Sequence, residues 1–122
     1  MAKTILIVDD SVSFRQVVSL ALSGAGYDVI QACDGKDALS KLDGRKLNLI
    51  VSDVNMPVMD GLSFVRAAKQ LPAYKFTPII MLTTEAGEDK KAEGKAAGVR
   101  AWVATPFQPP VLLEAVSQLV LP

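Results

Sequence analysis

The sequence contains no histidine. That absence removes imidazole general-base catalysis and histidine-rich metal centres from the chemistry open to the chain. A single cysteine, Cys33, excludes an internal disulfide framework and fits a reducing compartment. Neither sign of charge is in excess: thirteen Lys and Arg balance thirteen Asp and Glu, so there is no electrostatic footprint for nucleic acid. No apolar run approaches the length of a membrane span. Met1, Ala2, Lys3 and Thr4 lead straight into strand-forming residues without the charged-then-apolar pattern of a secretion signal. A cytoplasmic protein with no membrane insertion is therefore expected. Repeats, low-complexity tracts and linkers are also missing. The 122 residues, 50% of them hydrophobic, are expected to form one domain over 1–122 around a real core.

What is present is an alternation of apolar strands with helical patterns. Thr4–Val8 reads as a strand. Ser11 is placed to cap a helix whose apolar positions Phe14, Val17, Val18, Ala21, Leu22 and Ala25 follow helical spacing, with Gly24 and Gly26 ending it. Tyr27–Ala32 is a more polar strand, expected near an edge, and Gly35–Leu42 is a weak helix closed by Asp43 and Gly44. Leu47–Asp53 is a strongly apolar strand. Asp60 and Gly61 turn the chain into a helix over Leu62–Leu71, with Phe64, Val65, Ala68 and Leu71 inward. Thr77–Thr83 is the fourth strand, Gly87–Gly98 a solvated helix weakened by Gly94, and Arg100–Ala104 the fifth strand. Pro109 and Pro110 open a last helix over Val111–Val120, striped by Leu112, Leu113, Val116, Leu119 and Val120. Five strands alternating with five helices describe a doubly wound α/β fold with a parallel sheet and helices on both faces.

Three of these strands end in polar groups. The run Leu49-Ile-Val-Ser carries no charge until Asp53, and Ile5-Leu-Ile-Val8 leads directly into Asp9 and Asp10. The run Pro78-Ile-Ile-Met-Leu82 ends in Thr83 and Thr84. Open α/β sheets bind ligands beyond the carboxyl ends of their strands. If the three strands are neighbours, three carboxylates and a hydroxyl meet on one patch. Taken singly, Asp9 and Asp10 read equally well as a helix cap, Asp53 as a loop carboxylate and Thr83 as an ordinary strand end. Taken together they form a site. Clustered carboxylates repel one another unless a cation is bound, and Mg²⁺ needs only one or two carboxylates plus water. A carboxylate beside such a cation can also act as a nucleophile toward phosphorus.

The pairs Asp9-Asp10 and Asp53-Val-Asn55-Met-Pro57, followed by Met59-Asp60-Gly61, Thr83 and Pro106-Phe107, resemble the receiver domain of bacterial two-component response regulators over the whole chain. Tyr74-Lys-Phe-Thr-Pro78 and Met81-Leu-Thr-Thr-Glu85 are most similar to the stand-alone chemotaxis type. The resemblance implies a flavodoxin-like (βα)5 fold and a phosphorelay signalling protein rather than an enzyme. Asp53 would accept a phosphoryl group from a histidine kinase. Asp9, Asp10, Asp53 and the Asn55 backbone carbonyl would set the Mg²⁺ site, Asp9 through water. Thr83 would bond the phosphoryl group, and Trp102 would stand at the aromatic switch position. A downstream target, such as the flagellar motor or another chemotaxis component, would read a face around Lys90–Ala97, Arg100–Ala104 and Pro109–Ala115, where Lys91 and Lys95 offer charge.

One residue departs from the pattern. The family places a lysine immediately before the late proline, and here Thr105 precedes Pro106. A threonine is neutral and too short to clamp a phosphoryl group across the site. The alternative reading is therefore an atypical pseudo-receiver, a binding module whose phosphorylation-dependent switching is impaired. The Thr105–Pro106 bond is expected to be cis by the same resemblance. An enzyme of the haloacid dehalogenase type is disfavoured because Asn55 stands where a second aspartate is needed and there is no cap domain. A flavin-binding role is disfavoured because the acidic loop after the first strand would repel a phosphate. Trp102, flanked by Ala101 and Val103, reads as a packed side chain as well as it reads as a mobile one. Residues 88–91 read most simply as a solvated helix start.

Overall fold

The computed structural model describes residues 3–53, 59, 61–83, 95–104 and 109–120. The strands are β1 (Thr4–Val8), β2 (Asp28–Ala32), β3 (Leu49–Asp53), β4 (Ile79–Thr83) and β5 (Ala101–Ala104). The helices are α1 (Val12–Gly24), α2 (Gly35–Lys41), α3 (Gly61–Lys69), the helical residues 95–97 (α4) and α5 (Pro109–Leu119), with a 3₁₀ turn at Pro72–Tyr74. The strands form one parallel sheet in the order β2-β1-β3-β4-β5. The doubly wound α/β expectation is met.

Alternation along the strands decides which helix covers which face. Side chains of successive strand residues point to opposite sides. In β1, Ile5 and Ile7 join one core with Leu49, Val51, Ile80 and Leu82, and α1 and α5 close it through Val18, Leu22, Leu112 and Val116. Leu6 and Val8 join the other core with Ile50, Ile79 and Met81, closed by α2 and α3 through Ala38, Leu62, Phe64, Val65 and Ala68. Strands buried on both faces must be apolar throughout, which is why β1, β3 and β4 read as unbroken Ile, Leu, Val and Met. The polar strand β2 lies at one edge, as its composition suggested, and β5 lies at the other.

Several expected boundaries shift inward. The runs Leu47–Asp53 and Thr77–Thr83 pair only from Leu49 and Ile79, because the preceding residues form the turns that enter the sheet. Val17 is 54% exposed, although helical spacing placed it inward. In α1 the sheet is met by the row Val18 and Leu22, one position further round the helix, and Ala25 lies beyond the helix end, exposed. Leu71 falls after α3 and is half-buried. Most of the helix expected over Gly87–Gly98 lies outside the described residues, as do Asn55 and Thr105.

Capping fixes where the helices start. The Ser11 hydroxyl accepts from the Phe14 backbone N–H at 3.2 Å, so α1 begins immediately after the acidic pair. Asp34 does the same for α2, accepting from the Asp37 N–H at 2.7 Å, a cap the sequence reading did not assign. Gly61 opens α3 for a different reason. A Cβ there would overlap the Asp53 carbonyl oxygen and lie 2.7 Å from the Met81 methyl. Only glycine lets α3 start this close to the end of β3.

A paired substitution tests that reading. Gly61→Ala should cost about 1–3 kcal/mol in urea unfolding, since the backbone it strikes has nowhere to yield. Gly24→Ala, whose added Cβ meets nothing within 4 Å, should be neutral or slightly stabilising by helix propensity. Equal effects at the two glycines would show that close approach at Gly61 is not the constraint.

Candidate functional site

The strand order reverses direction between β1 and β3: the chain runs from β1 out to β2, then crosses back to β3 on the other side. That is the switch point at which open α/β sheets leave a crevice beyond the strand ends. Registration makes the crevice acidic. Val8 pairs with Ser52, so the next residues, Asp9 and Asp53, leave the sheet side by side. Asp9, Asp10 and Asp53 offer ligand oxygens that all lie within 4.8 Å of one another. The three carboxylates singled out from sequence are therefore brought together. Thr83 closes β4 one position beyond Leu82, the partner of Asp53, so its backbone stands at the same edge.

The three acids are not equivalent. Asp9 is 5% exposed, Asp53 half-buried and Asp10 exposed. Asp9 is held from both sides. Its N–H donates to the Ala32 carbonyl at 3.1 Å, and its Oδ1 accepts from the Ser11 N–H at 2.8 Å. Burial pushes its carboxyl up to about 6, and repulsion from Asp53 and Asp10 adds to the rise. The Ser11 N–H and the nearby Arg15 guanidinium pull the other way without cancelling it. Arg15 also donates to the Asp9 backbone carbonyl. The sequence reading missed Arg15. The signal was its position six residues after Asp9, within the second turn of a helix that starts at the site.

The donor set is all oxygen, compact and short of positive charge. Those are the properties that select a hard divalent cation over a soft one. Asp10 and Asp53 are open enough to ligate directly, while Asp9 is already committed to one N–H and is suited to hold a bound water. Trp102, in β5, is half-buried and packs against the core under α2 and α3. That agrees with the packed reading of this residue.

Comparison with known proteins agrees with this geometry. The family model described as the response regulator receiver domain matches residues 5–117. The chain is 39% identical over 112 residues to the chemotaxis protein CheY1 of Helicobacter pylori, covering 90% of each chain. It is 49% identical to the chemotaxis response regulator CheY4 of Vibrio cholerae, with a TM-score of 0.93 over 98% of this chain and 99% of that one. The receiver domain of the sensor histidine kinase PA1611 of Pseudomonas aeruginosa, solved with a magnesium ion coordinated in its active-site cleft, is 27% identical with a TM-score of 0.90, covering 98% of each chain.

The buried acid gives the metal-free protein a distinctive pH dependence. An aspartate in the unfolded chain titrates near 4, whereas folded Asp9 titrates at about 6. Between those values the folded state holds a proton that the unfolded state has lost. The Asp9 contribution to stability is therefore fully present below about pH 4 and falls by up to roughly 2–3 kcal/mol as pH rises to about 6. In chelator, the stability difference between the parent and Asp9→Asn should shrink or reverse over that window. Millimolar Mg²⁺ should restore the parent above pH 6, because it binds only the folded, ionised cluster. A difference that stays flat with pH would show that burial and the neighbouring carboxylates do not raise Asp9 above the ordinary aspartate range.

Five parallel strands flanked by helices, acids converging at the switch point, a family model spanning the core and chemotaxis regulators matching nearly end to end leave one assignment: the chain belongs to the response regulator receiver family and is of the chemotaxis type.

Proposed function

We propose that the chain is a Mg²⁺-dependent phosphoacceptor in a chemotaxis phosphorelay, working in the cytoplasm. Asp53 is the acceptor, with a histidine kinase as donor. The observation that carries this reading is the convergence of Asp9, Asp10 and Asp53 at the switch point, where Asp53 is itself the last residue of β3 while Asp9 and Asp10 follow the end of β1. A bound Mg²⁺ would supply charge neutralisation for the incoming phosphoryl oxygens. Asp10, Asp53 and the Asn55 carbonyl would hold it directly, and Asp9 would act through a water. One Asp53 oxygen attacks phosphorus in line as the bond to the donor imidazole nitrogen breaks, and that nitrogen keeps the electron pair. The attack needs no general base, since a carboxylate oxygen acquires the phosphoryl group without losing a proton. Thr83 donates its hydroxyl to a phosphoryl oxygen. The chain is a signalling protein rather than an enzyme that turns over a separate substrate.

The output is a change in affinity for a downstream target at the face formed by α4, β5 and α5, where Lys95, Trp102 and Arg100 cluster around a cleft of about 420 Å³. Thr105 sets how strongly the two are coupled. A lysine there would add a charge-assisted contact present only in the phosphorylated state, and a state-specific contact is what shifts a two-state equilibrium. Threonine offers one neutral hydrogen bond. The pseudo-receiver reading rests on this residue alone and gains no support from the chemotaxis relatives.

Two experiments test these assignments. Treated with acetyl phosphate and Mg²⁺, the parent should gain one phosphoryl group by intact mass, and Asp53→Asn should gain none while unfolding at a similar urea concentration. Incorporation that persists in the variant would move the nucleophile to Asp10. With Mg²⁺ and beryllofluoride, Trp102 fluorescence should respond weakly in the parent and clearly more in Thr105→Lys. Equal responses would mean that the neutral residue does not limit the switch.

A further inference from the structure

The end of the sheet opposite the acidic crevice carries an unexplained aromatic. Phe76 is 87% exposed, the most exposed of the large hydrophobic side chains among the described residues. It stands between two grooves of about 460 and 450 Å³ that share Phe76, Thr77 and Pro78. One side adds Pro72, Ala73, Leu47 and Lys46, and the other adds Lys69, Lys75, Gly98 and Arg100. Phe76, Pro72 and Pro78 give the two grooves an apolar ridge, and Lys46, Lys75 and Arg100 stand along their lining. No carboxylate lines either groove among the described residues.

The surface under Phe76 is held in place by buried polar contacts. Tyr74 is 2% exposed, and its hydroxyl donates to the Arg45 carbonyl at 2.8 Å and accepts from the Gly44 N–H at 3.0 Å. The Lys69 ammonium donates to the carbonyls of Lys75 and Thr77, and its aliphatic stem lies against Gly98. Asn48 Oδ1 accepts from the Thr4 N–H at 2.9 Å. These bonds fix the segments on either side of Phe76 and leave its ring outside. A phenylalanine kept in water on a rigid support loses transfer free energy that folding inward would have gained.

The cations differ in availability. Arg45 is paired with Asp43 at 2.8 Å, and Lys69 is spent on backbone carbonyls. Lys46, Lys75 and Arg100 have no carboxylate partner among the described residues; Lys75 instead lies 5.7 Å from the Phe76 ring centre. Three positive charges without a carboxylate partner among the described residues, set around the Phe76 ring on a chain of zero net charge, form a local field suited to a local ligand.

We infer that this pole docks an acidic segment of a partner protein, with one apolar side chain seated against Phe76, Pro72 and Pro78 and flanking carboxylates reaching Lys46 on one side and Lys75 and Arg100 on the other. Charge complementarity selects an acidic ligand. The paired grooves select an extended peptide over a lipid surface, which would meet a flat or convex face. Zero net charge removes the long-range attraction on which a nucleic acid polymer depends. This surface is separate from the crevice and meets the cleft of the α4–β5–α5 face only at Gly98 and Arg100, so most of it, with Phe76 at its centre, can hold a partner apart from the switch.

The test uses a capped peptide of alternating glutamate and leucine, titrated into ¹⁵N-labelled protein. Amide shifts should centre on Asn48, Phe76, Thr77 and Arg100. Phe76→Ala and the charge reversals Lys46→Glu and Lys75→Glu should each weaken binding by about tenfold, whereas Lys36→Glu on exposed α2 should leave it unchanged. Raising salt should weaken binding further, because exposed charge pairs are screened within about 8 Å at physiological ionic strength. Glutamine in place of glutamate should abolish the shifts. The inference is overturned if the shifts fall around Asp9 or Trp102, if the peptide produces none, or if Phe76→Ala binds like the parent. It is equally overturned if phosphatidylserine vesicles or duplex DNA bind this pole more tightly than the peptide does.

Discussion

Repulsion among three carboxylates is the cost around which the rest of the fold is arranged. The parallel register of β1 against β3 makes that cost unavoidable, because pairing Val8 with Ser52 sends Asp9 and Asp53 out of the sheet together. Neither acid can retreat. Asp9 is fastened to Ala32 and Ser11, and Asp53 is pressed from behind by the start of α3 at Gly61. Two dry cores, one on each face, supply the stability that tolerates the strain. Local compensation is partial: one backbone N–H and the Arg15 field do not offset burial and the two neighbouring carboxylates, so Asp9 is pushed up to about 6. What remains uncompensated is the driving force for binding a cation.

The same sheet separates two kinds of surface by some five residues of rigid strand. Its carboxyl edge gathers acids and its amino edge gathers cations and Phe76. The separation follows from the topology of parallel strands. All connections into strands meet at one end and all connections out of them at the other, so each end collects the side chains of a different set of loops. Lysine and arginine at the amino edge have a local role as well. Lys69 ends α3, where a cation is favoured by the helix dipole and by unsatisfied carbonyls. Burial and the neighbouring Arg100 lower its affinity for the proton, yet it is held by two carbonyls from the loop that carries Phe76.

Much of this was legible in the sequence, and the reasons differ by residue. The strands β1, β3 and β4 announced themselves because burial on both faces leaves no room for polar residues. Their shared ending in Asp or Thr located the site before any register was known. Val17 was misplaced because helical spacing gives a stripe about 100° wide without saying which of its borders meets the sheet. The roles of Arg15 and Phe76, and the close approach at Gly61, were invisible for a common reason. Each owes its role to contact with a segment distant in the sequence or to a missing contact, and neither leaves a periodic trace. Asn55 and Thr105 were assigned by resemblance and lie outside the described residues, so their roles rest on the proposal and its tests.

Thr105 gains its meaning from the charge balance of the crevice. At about 4 Å and an effective dielectric of about 20, a lysine beside a phosphoryl group would contribute roughly 4 kcal/mol of attraction before desolvation. The same lysine would also offset carboxylate repulsion in the unphosphorylated, metal-free state, so only the difference between the two states drives a switch. Arg15 cannot replace it. Its guanidinium is tied to the Asp9 backbone carbonyl, a contact already made without any phosphoryl group. A contact common to both states stabilises the site without biasing it. On the proposed function, a crevice with threonine at that place would keep what phosphotransfer needs, an acceptor carboxylate and a cation site, while losing a contact that would tell one state from the other. On that proposal, accepting a phosphoryl group and signalling its presence would be separable properties, carried by different residues.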